Sequence, residues 1–298
     1  MAPATLLRAM RPQQWVKNVF VLAAVVFARG DRGLIKPADY GDVWRSLAAF
    51  AAFCLGASAI YLINDVLDVK GDRAHPEKRL RPIASGELGI RAALVASAFS
   101  LAGAVALAWL AGAGVVIVLA LYVALNFAYS VKLKHTVMVD VFCIAFGFLL
   151  RVEAGALAAR YPMSHWLMLC TLFLALFLAL SKRRAEIDLL GEERGNHRVN
   201  LRQYTPAFLD QMVTMLAAVT IVCYTIYTVS DETFDKFGSR NLAYSIPFVV
   251  FGLGRYMLLV QTRRGGGSPT RVLLGGDAAF VANALAWLAV VIWAIFES

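Results

Sequence analysis

Charge is what this sequence has least of. Only 16% of its 298 residues are Asp, Glu, Lys or Arg, against about 25% in an ordinary soluble domain. Meanwhile 60% are hydrophobic and the mean hydropathy is +0.65. The length alone would suit two soluble domains; the hydropathy argues instead for a single membrane domain over residues 1–298. Cysteine is also scarce. Cys54, Cys143, Cys170 and Cys223 each lie inside an apolar run and none forms a Cys-x-x-Cys pair. That argues against a zinc site or a disulfide framework and leaves small buried side chains. His75, His135, His165 and His197 show no metal-ligand spacing. Arg8, Arg11 and Lys17 interrupt the N-terminal stretch and no small-residue cleavage site closes it, so no signal peptide is expected. Nothing points to nucleic acid as a partner.

What is present is long apolar runs. A spanning helix needs about 20 mostly apolar residues. Nine runs qualify: roughly 15–29, 43–64, 91–110, 113–131, 137–158, 164–181, 208–229, 242–262 and 277–297. They predict an all-α membrane protein of about nine transmembrane helices. Ala111-Gly112-Ala113-Gly114 predicts a tight turn between the third and fourth. Lys and Arg crowd one set of helix ends, at Arg8–Lys17, Lys70–Arg91, Lys132–Lys134, Lys182–Arg202 and Arg263–Arg271, by about 20 to 7. By the positive-inside rule those ends face the cytoplasm. The formal net charge of +9 fits both that topology and an anionic substrate. The longest inner loops, about 65–90 and 182–207, are polar, and loops of that length are uncommon without a function.

The first of these loops opens with Asn64-Asp65-Val66-Leu67-Asp68-Val69-Lys70-Gly71-Asp72. At about 100° per residue, a helix brings Asp65, Asp68 and Asp72 within roughly 60° of one another, with Asn64 near the same face. Like charges at that spacing repel, and more so at a membrane edge, so something must neutralise them. One solution is a charge network with Lys70, Arg73, Lys78 and Arg79. The other is Mg²⁺, a hard cation that suits oxygen-only ligands and binds through one or two carboxylates plus substrate phosphates. The second is favoured, with Asn64, Asp65, Asp68 and Asp72 as metal ligands and the three aspartates as catalytic groups.

The same run fits the NDxxDxxxD motif of the UbiA superfamily of intramembrane prenyltransferases. Four further stretches resemble that superfamily: Arg11-Pro12-Gln13-Gln14-Trp15-Val16-Lys17-Asn18, Arg79-Leu80-Arg81-Pro82-Ile83-Ala84-Ser85-Gly86, Tyr129-Ser130-Val131-Lys132-Leu133-Lys134 and Leu150-Arg151-Val152-Glu153-Ala154-Gly155. The resemblance is greatest to the branch that transfers phosphoribose rather than a prenyl group. It implies a helical bundle around a central cavity open to the cytoplasm and to lipid. It implies Mg²⁺ as cofactor, phosphoribosyl diphosphate as donor and a polyprenyl phosphate as acceptor. The expected product is decaprenylphosphoryl-5-phosphoribose, for cell-wall arabinan synthesis. A multi-pass protein of the plasma membrane is implied, with room for a homo-oligomer.

One departure from ordinary prenyltransferases separates the alternatives. Those enzymes carry a second Asp-rich motif after span 6. Here the place reads Ser181-Lys182-Arg183-Arg184-Ala185-Glu186-Ile187-Asp188, which is basic. A prenyl diphosphate has one charged end. Phosphoribosyl diphosphate has a diphosphate and a 5-phosphate, and its acceptor is anionic too. Bare phosphates call for Arg or Lys, so Lys182, Arg183 and Arg184 are candidate phosphate ligands. Tyr61, Arg73 and Lys78 flank the acidic run as further substrate-binding candidates. Tyr129, Lys132 and Lys134, and Lys17 near the start of span 1, read equally as interface anchors or as substrate contacts. Arg151 lies well inside span 5, about 20 Å from its inner end. It requires either a partner on another helix or a cavity-facing role. The runners-up are a conventional prenyltransferase acting on an aromatic acceptor and a transporter of lipid or anions.

Overall fold

The computed structural model describes residues 3–27, 40–75, 78–161, 165–190, 203–262 and 277–296. Among them helices dominate and no strand occurs. The elements are α1 (Pro3–Met10), a 3-10 helix (Pro12–Val19), α2 (Phe20–Phe27), α3 (Tyr40–Leu67), α4 (Val69–Ala74), a 3-10 turn (Lys78–Leu80), α5 (Ile90–Ala111) and α6 (Ala113–Val131). They continue with a 3-10 turn (Leu133–His135), α7 (Val139–Ala158), α8 (His165–Leu190), α9 (Pro206–Val229), α10 (Asp231–Phe237), a 3-10 turn (Asn241–Ser245), α11 (Ile246–Gln261) and α12 (Ala278–Phe296).

Eight helices among the described residues are long and apolar enough to cross a membrane, and they match eight of the nine expected spans. The exception is the first. Pro12–Val19 is a 3-10 helix, and only Phe20–Phe27 is α-helical before residues 28–39, which lie outside the described set. Arg11 adopts a left-handed conformation (φ 54°, ψ 60°) ahead of Pro12, which ends α1. The buried amide of Asn18 then faces protein rather than lipid. The second expected inner loop is corrected as well: α8 continues to Leu190. Its charged end stays helical through Arg183–Glu186 and Arg184–Asp188 pairs three and four residues apart, a spacing that supports a helix. Residues 191–202 of that expected loop lie outside the described residues.

The chain falls into two compact units. The first holds Met1–Val26, Ala38–Val131 and Leu150–Pro162; the second holds Phe27–Pro37, Lys132–Leu149 and Met163–Ser298. In the first unit α5 turns a stripe of small residues inward: Ala93, Ser97, Ser100, Ala104, Ala108 and Ala111. Small side chains let two helices approach closely where lipid supplies no hydrophobic drive. α3 uses the opening, and Ser97 Oγ donates to the Ala59 carbonyl across the seam at 3.0 Å. Gly112, at φ +136°, makes the expected turn into α6. Its N–H caps α5 on the carbonyls of Ala108 and Trp109. In the second unit Val141, Phe177, Leu180, Leu209, Leu216 and Tyr256 are among the core residues, with α8 packed on α9 and α11 on α12.

Candidate functional site

The acidic run lies where α3 gives way to α4. Asp68 occupies the junction (φ −89°, ψ 3°). The backbone ladder nevertheless runs through it, from Asp68 N–H to the Asn64 carbonyl at 2.9 Å and from Asp72 N–H to the Asp68 carbonyl at 2.8 Å. Two helical turns therefore separate Asp65 and Asp72 on one face. Both are nearly sealed from solvent, at 3% and 4% exposure, whereas Asp68 is exposed and Asn64 half-buried. The three aspartates do not gather as one stripe. Asp65 and Asp72 converge and Asp68 stands apart.

Their neutralisers are arginines from elsewhere in the first unit. Arg81 Nη1 donates to Asp72 Oδ2 at 2.7 Å and to Asp65 Oδ1 at 3.2 Å. Arg11 Nη2 reaches Asp65 Oδ1 at 2.5 Å, with its guanidinium 5.1 Å from the ring centroid of Tyr61. Neither arginine was among the neutralisers that proximity in sequence suggested. Of those, Arg73 donates instead to the Ala84 carbonyl at 3.1 Å, and Lys78 is exposed. The segment bearing Arg81 is folded: Ser85 N–H bonds the Arg81 carbonyl, and Leu88 N–H bonds that of Pro82. Ile83 and Leu88 anchor it in an apolar cluster with Ala9, Leu62 and Ala93.

The residues fit a hard divalent cation in part. Among the described residues no group of three or more His, Cys, Asp or Glu side chains gathers for a metal. Two buried carboxylates do converge on one cationic nitrogen, and magnesium takes one or two protein carboxylates, leaving its other positions to water and substrate phosphate. Asp65 and Asp72 are thus the pair able to hold such an ion.

Deeper in the same unit, Arg151 is buried and has polar partners. Its Nε donates to Asn18 Oδ1 at 2.7 Å and its Nη2 to the Tyr122 hydroxyl at 2.8 Å, and its guanidinium stands 4.6 Å from the centroid of that ring. Asn18 is fully buried and turns its amide nitrogen to Cys54 Sγ at 3.3 Å. The partner required for Arg151 is therefore supplied across helices. Lys17 and Tyr129 are half-buried.

The second unit holds the basic segment. Arg183 is 2% exposed. Its Nε donates to Asp140 Oδ2 at 3.0 Å and its Nη1 to Glu186 Oε2 at 2.7 Å. The Tyr204 hydroxyl donates to the other oxygen of Asp140 at 3.0 Å and accepts the Met138 N–H at 2.8 Å. Met138 itself has φ +67°. Burial pushes the Tyr204 hydroxyl pKa up to about 12, opposed by the Met138 N–H. Arg184 pairs with Asp188 and with Asp210, the latter at 2.8 Å. Lys182 differs: its side chain is 48% exposed and lies 3.9 Å from Glu186. Lys132 is exposed and Lys134 half-buried. Asp140, Tyr204 and Asp210 carry no sequence signal beyond their type. Asp140, after three apolar residues of span 5, is a charge that had to find a cation.

Comparison with known proteins bears on both units. A sequence model of the UbiA prenyltransferase family matches residues 18–189. The chain is 37% identical to the decaprenyl-phosphate phosphoribosyltransferase of Mycolicibacterium smegmatis, over 98% of this chain and 93% of that protein. It is 38% identical to the protein of the same name from Corynebacterium glutamicum, over 98% and 86%. A UbiA homolog from Archaeoglobus fulgidus, solved with GPP and Mg²⁺, superposes with a TM-score of 0.72 over 98% of this chain and 99% of that one. At 18% identity that likeness concerns the fold.

Proposed function

Because this chain belongs to the UbiA prenyltransferase family, we propose that it transfers 5-phosphoribose from phosphoribosyl diphosphate to a polyprenyl phosphate at the cytoplasmic face of the plasma membrane. The supporting observation is the near full-length identity of 37–38% to relatives that bear the name decaprenyl-phosphate phosphoribosyltransferase. The basic stretch Lys182–Arg184, where prenyl-transferring relatives are acidic, argues the same way.

In the proposed reaction the acceptor phosphate oxygen attacks ribose C1 as the bond from C1 to the diphosphate breaks on the opposite face, with inversion. Diphosphate leaves with the electron pair. The acceptor is already an anion, so no general base is needed. Asp65 and Asp72 would hold Mg²⁺, with Asn64 and the exposed Asp68 on the same run. When bound, that ion supplies neutralisation of charge on the leaving diphosphate. Arg11 holds Asp65 in place through their ion pair, and the Tyr61 ring braces Arg11. Lys17, Arg73 and Lys78 are the cations of the first unit assigned to phosphate. In the second unit the assignment goes to Lys132, Lys134 and Lys182. Arg183 and Arg184, engaged with carboxylates, hold the shape of the segment that presents Lys182. Alignment of the two anionic reactants is the main contribution asked of these cations.

The test is substrate choice. Purified protein in detergent is given labelled phosphoribosyl diphosphate with a polyprenyl phosphate, and separately a prenyl diphosphate with an aromatic acceptor. Label in the lipid fraction from the first pair alone supports the proposal. Turnover of the second pair alone establishes a conventional prenyltransferase in its place.

A further inference from the structure

The convergence of Asp65 and Asp72 on Arg81 raises a competition. Both carboxylates are almost fully buried, and buried charges side by side call for a cation between them. That cation is now Arg81, through Nη1 alone. Among the described residues its Nε and Nη2 have no protein partner, and its side chain is 28% exposed. Arg11, the other cation on Asp65, is held more firmly. It is braced on the Tyr61 ring and carried by a left-handed backbone position next to Pro12. Arg81 is therefore the cation able to leave, and it carries a free fork of donors suited to bidentate phosphate binding.

We propose that Arg81 is an exchangeable counterion. It bridges Asp65 and Asp72 and holds them in register, yields its place to a divalent cation, and turns its guanidinium onto a phosphate of the incoming donor. This rests on the metal–diphosphate reading above and deepens it. Metal alone must displace a cation and binds weakly. Metal arriving with the donor finds that cation a new partner and binds tightly. Arg81 is thus the residue that couples the two ligands.

The experiment measures Mn²⁺ uptake by electron paramagnetic resonance on the full chain in detergent, with no acceptor, with and without phosphoribosyl diphosphate. Arg81→Gln is expected to bind Mn²⁺ alone about tenfold more tightly than wild type, a shift within the usual range of coupling energies. The gain on adding donor is expected to shrink by a similar factor. Arg81→Lys keeps the charge but loses the fork. It is expected to match wild type for Mn²⁺ alone and to lose donor coupling, and it carries the test if Arg81→Gln does not fold. Unchanged or weaker Mn²⁺ binding by Arg81→Gln without donor overturns the proposal. Equal tightening with and without donor also overturns it, because Arg81 is then a fixed neighbouring charge. Asp65→Asn separates the two levels of the argument. If wild type and Asp65→Asn take up Mn²⁺ equally, the metal assignment fails and this inference with it. If the Arg81 exchange is seen but no phosphoribose is transferred, only the overall reaction fails.

Discussion

Arg183 and Asp140 form an ion pair sealed from solvent, Nε to Oδ2 at 3.0 Å, with side-chain exposures of 2% and 0%. The pair does more than cancel two charges. Tyr204 takes the second oxygen of Asp140 and, through Met138 N–H, fixes the backbone just ahead of α7. A segment that looks like a free basic patch in the sequence is thus partly a structural lock, with Lys182 left exposed beside it.

Replacing Tyr204 tests the lock. Tyr204→Phe removes the hydroxyl that accepts the Met138 N–H and donates to Asp140, which costs about 1–3 kcal/mol. The pH dependence has a definite sign. The folded hydroxyl pKa is raised to about 12 from 10, so the folded state holds this proton more tightly than the unfolded one. Its contribution is fully present below pH 10 and is lost as pH rises toward 12. Thermal unfolding in detergent should show wild type losing more stability than Tyr204→Phe across that window. Equal losses would remove Tyr204 from the account.

Gly155 tests the close approach of α2 to α7 within the first unit. A Cβ there would stand 1.9 Å from the Val21 carbonyl oxygen, which is backbone and cannot turn aside. Gly155→Ala should sharply lower the yield of monodisperse protein in size-exclusion chromatography. Wild-type yield and melting temperature would mean that the two helices do not meet there.

Asn18 tests the buried arginine. Asn18→Leu removes the acceptor for Arg151 Nε. Hydrogen bonds to charged groups contribute about 1.5–3 kcal/mol, so a loss of that order is expected in urea or thermal unfolding. Asn18→Asp keeps an acceptor at Oδ1 and should recover most of it. If both variants melt alike, Arg151 is satisfied elsewhere.

These contacts also show what the sequence could and could not disclose. Eight spans were legible because lipid demands long apolar runs, and the Gly112 turn because only glycine accepts its φ readily. The first span is helical as far as it is described, and what the sequence did not disclose is its 3-10 start, set by Arg11 and Pro12. The charged end of α8 was read as loop because charge suggests solvent, whereas here the charges pair along the helix. In the acidic run, residue types and spacing revealed the chemistry. The identity of the counterions did not follow, since Arg11 and Arg81 arrive from 54 and 16 residues away. Proximity in sequence pointed to Arg73, which bonds a backbone carbonyl instead.

The most direct measurement of the account is transfer of label from phosphoribosyl diphosphate to polyprenyl phosphate, in wild type and Asp65→Asn, with Mg²⁺ and with chelator. Asp65→Asn keeps the shape of the buried side chain and removes the charge that would hold the ion. Wild type should show Mg²⁺-dependent transfer and Asp65→Asn a loss of about 10²-fold or more, the scale of removing one electrostatic contact to developing charge. Transfer by Asp65→Asn at the wild-type rate, or by wild type undiminished under chelator, would contradict it.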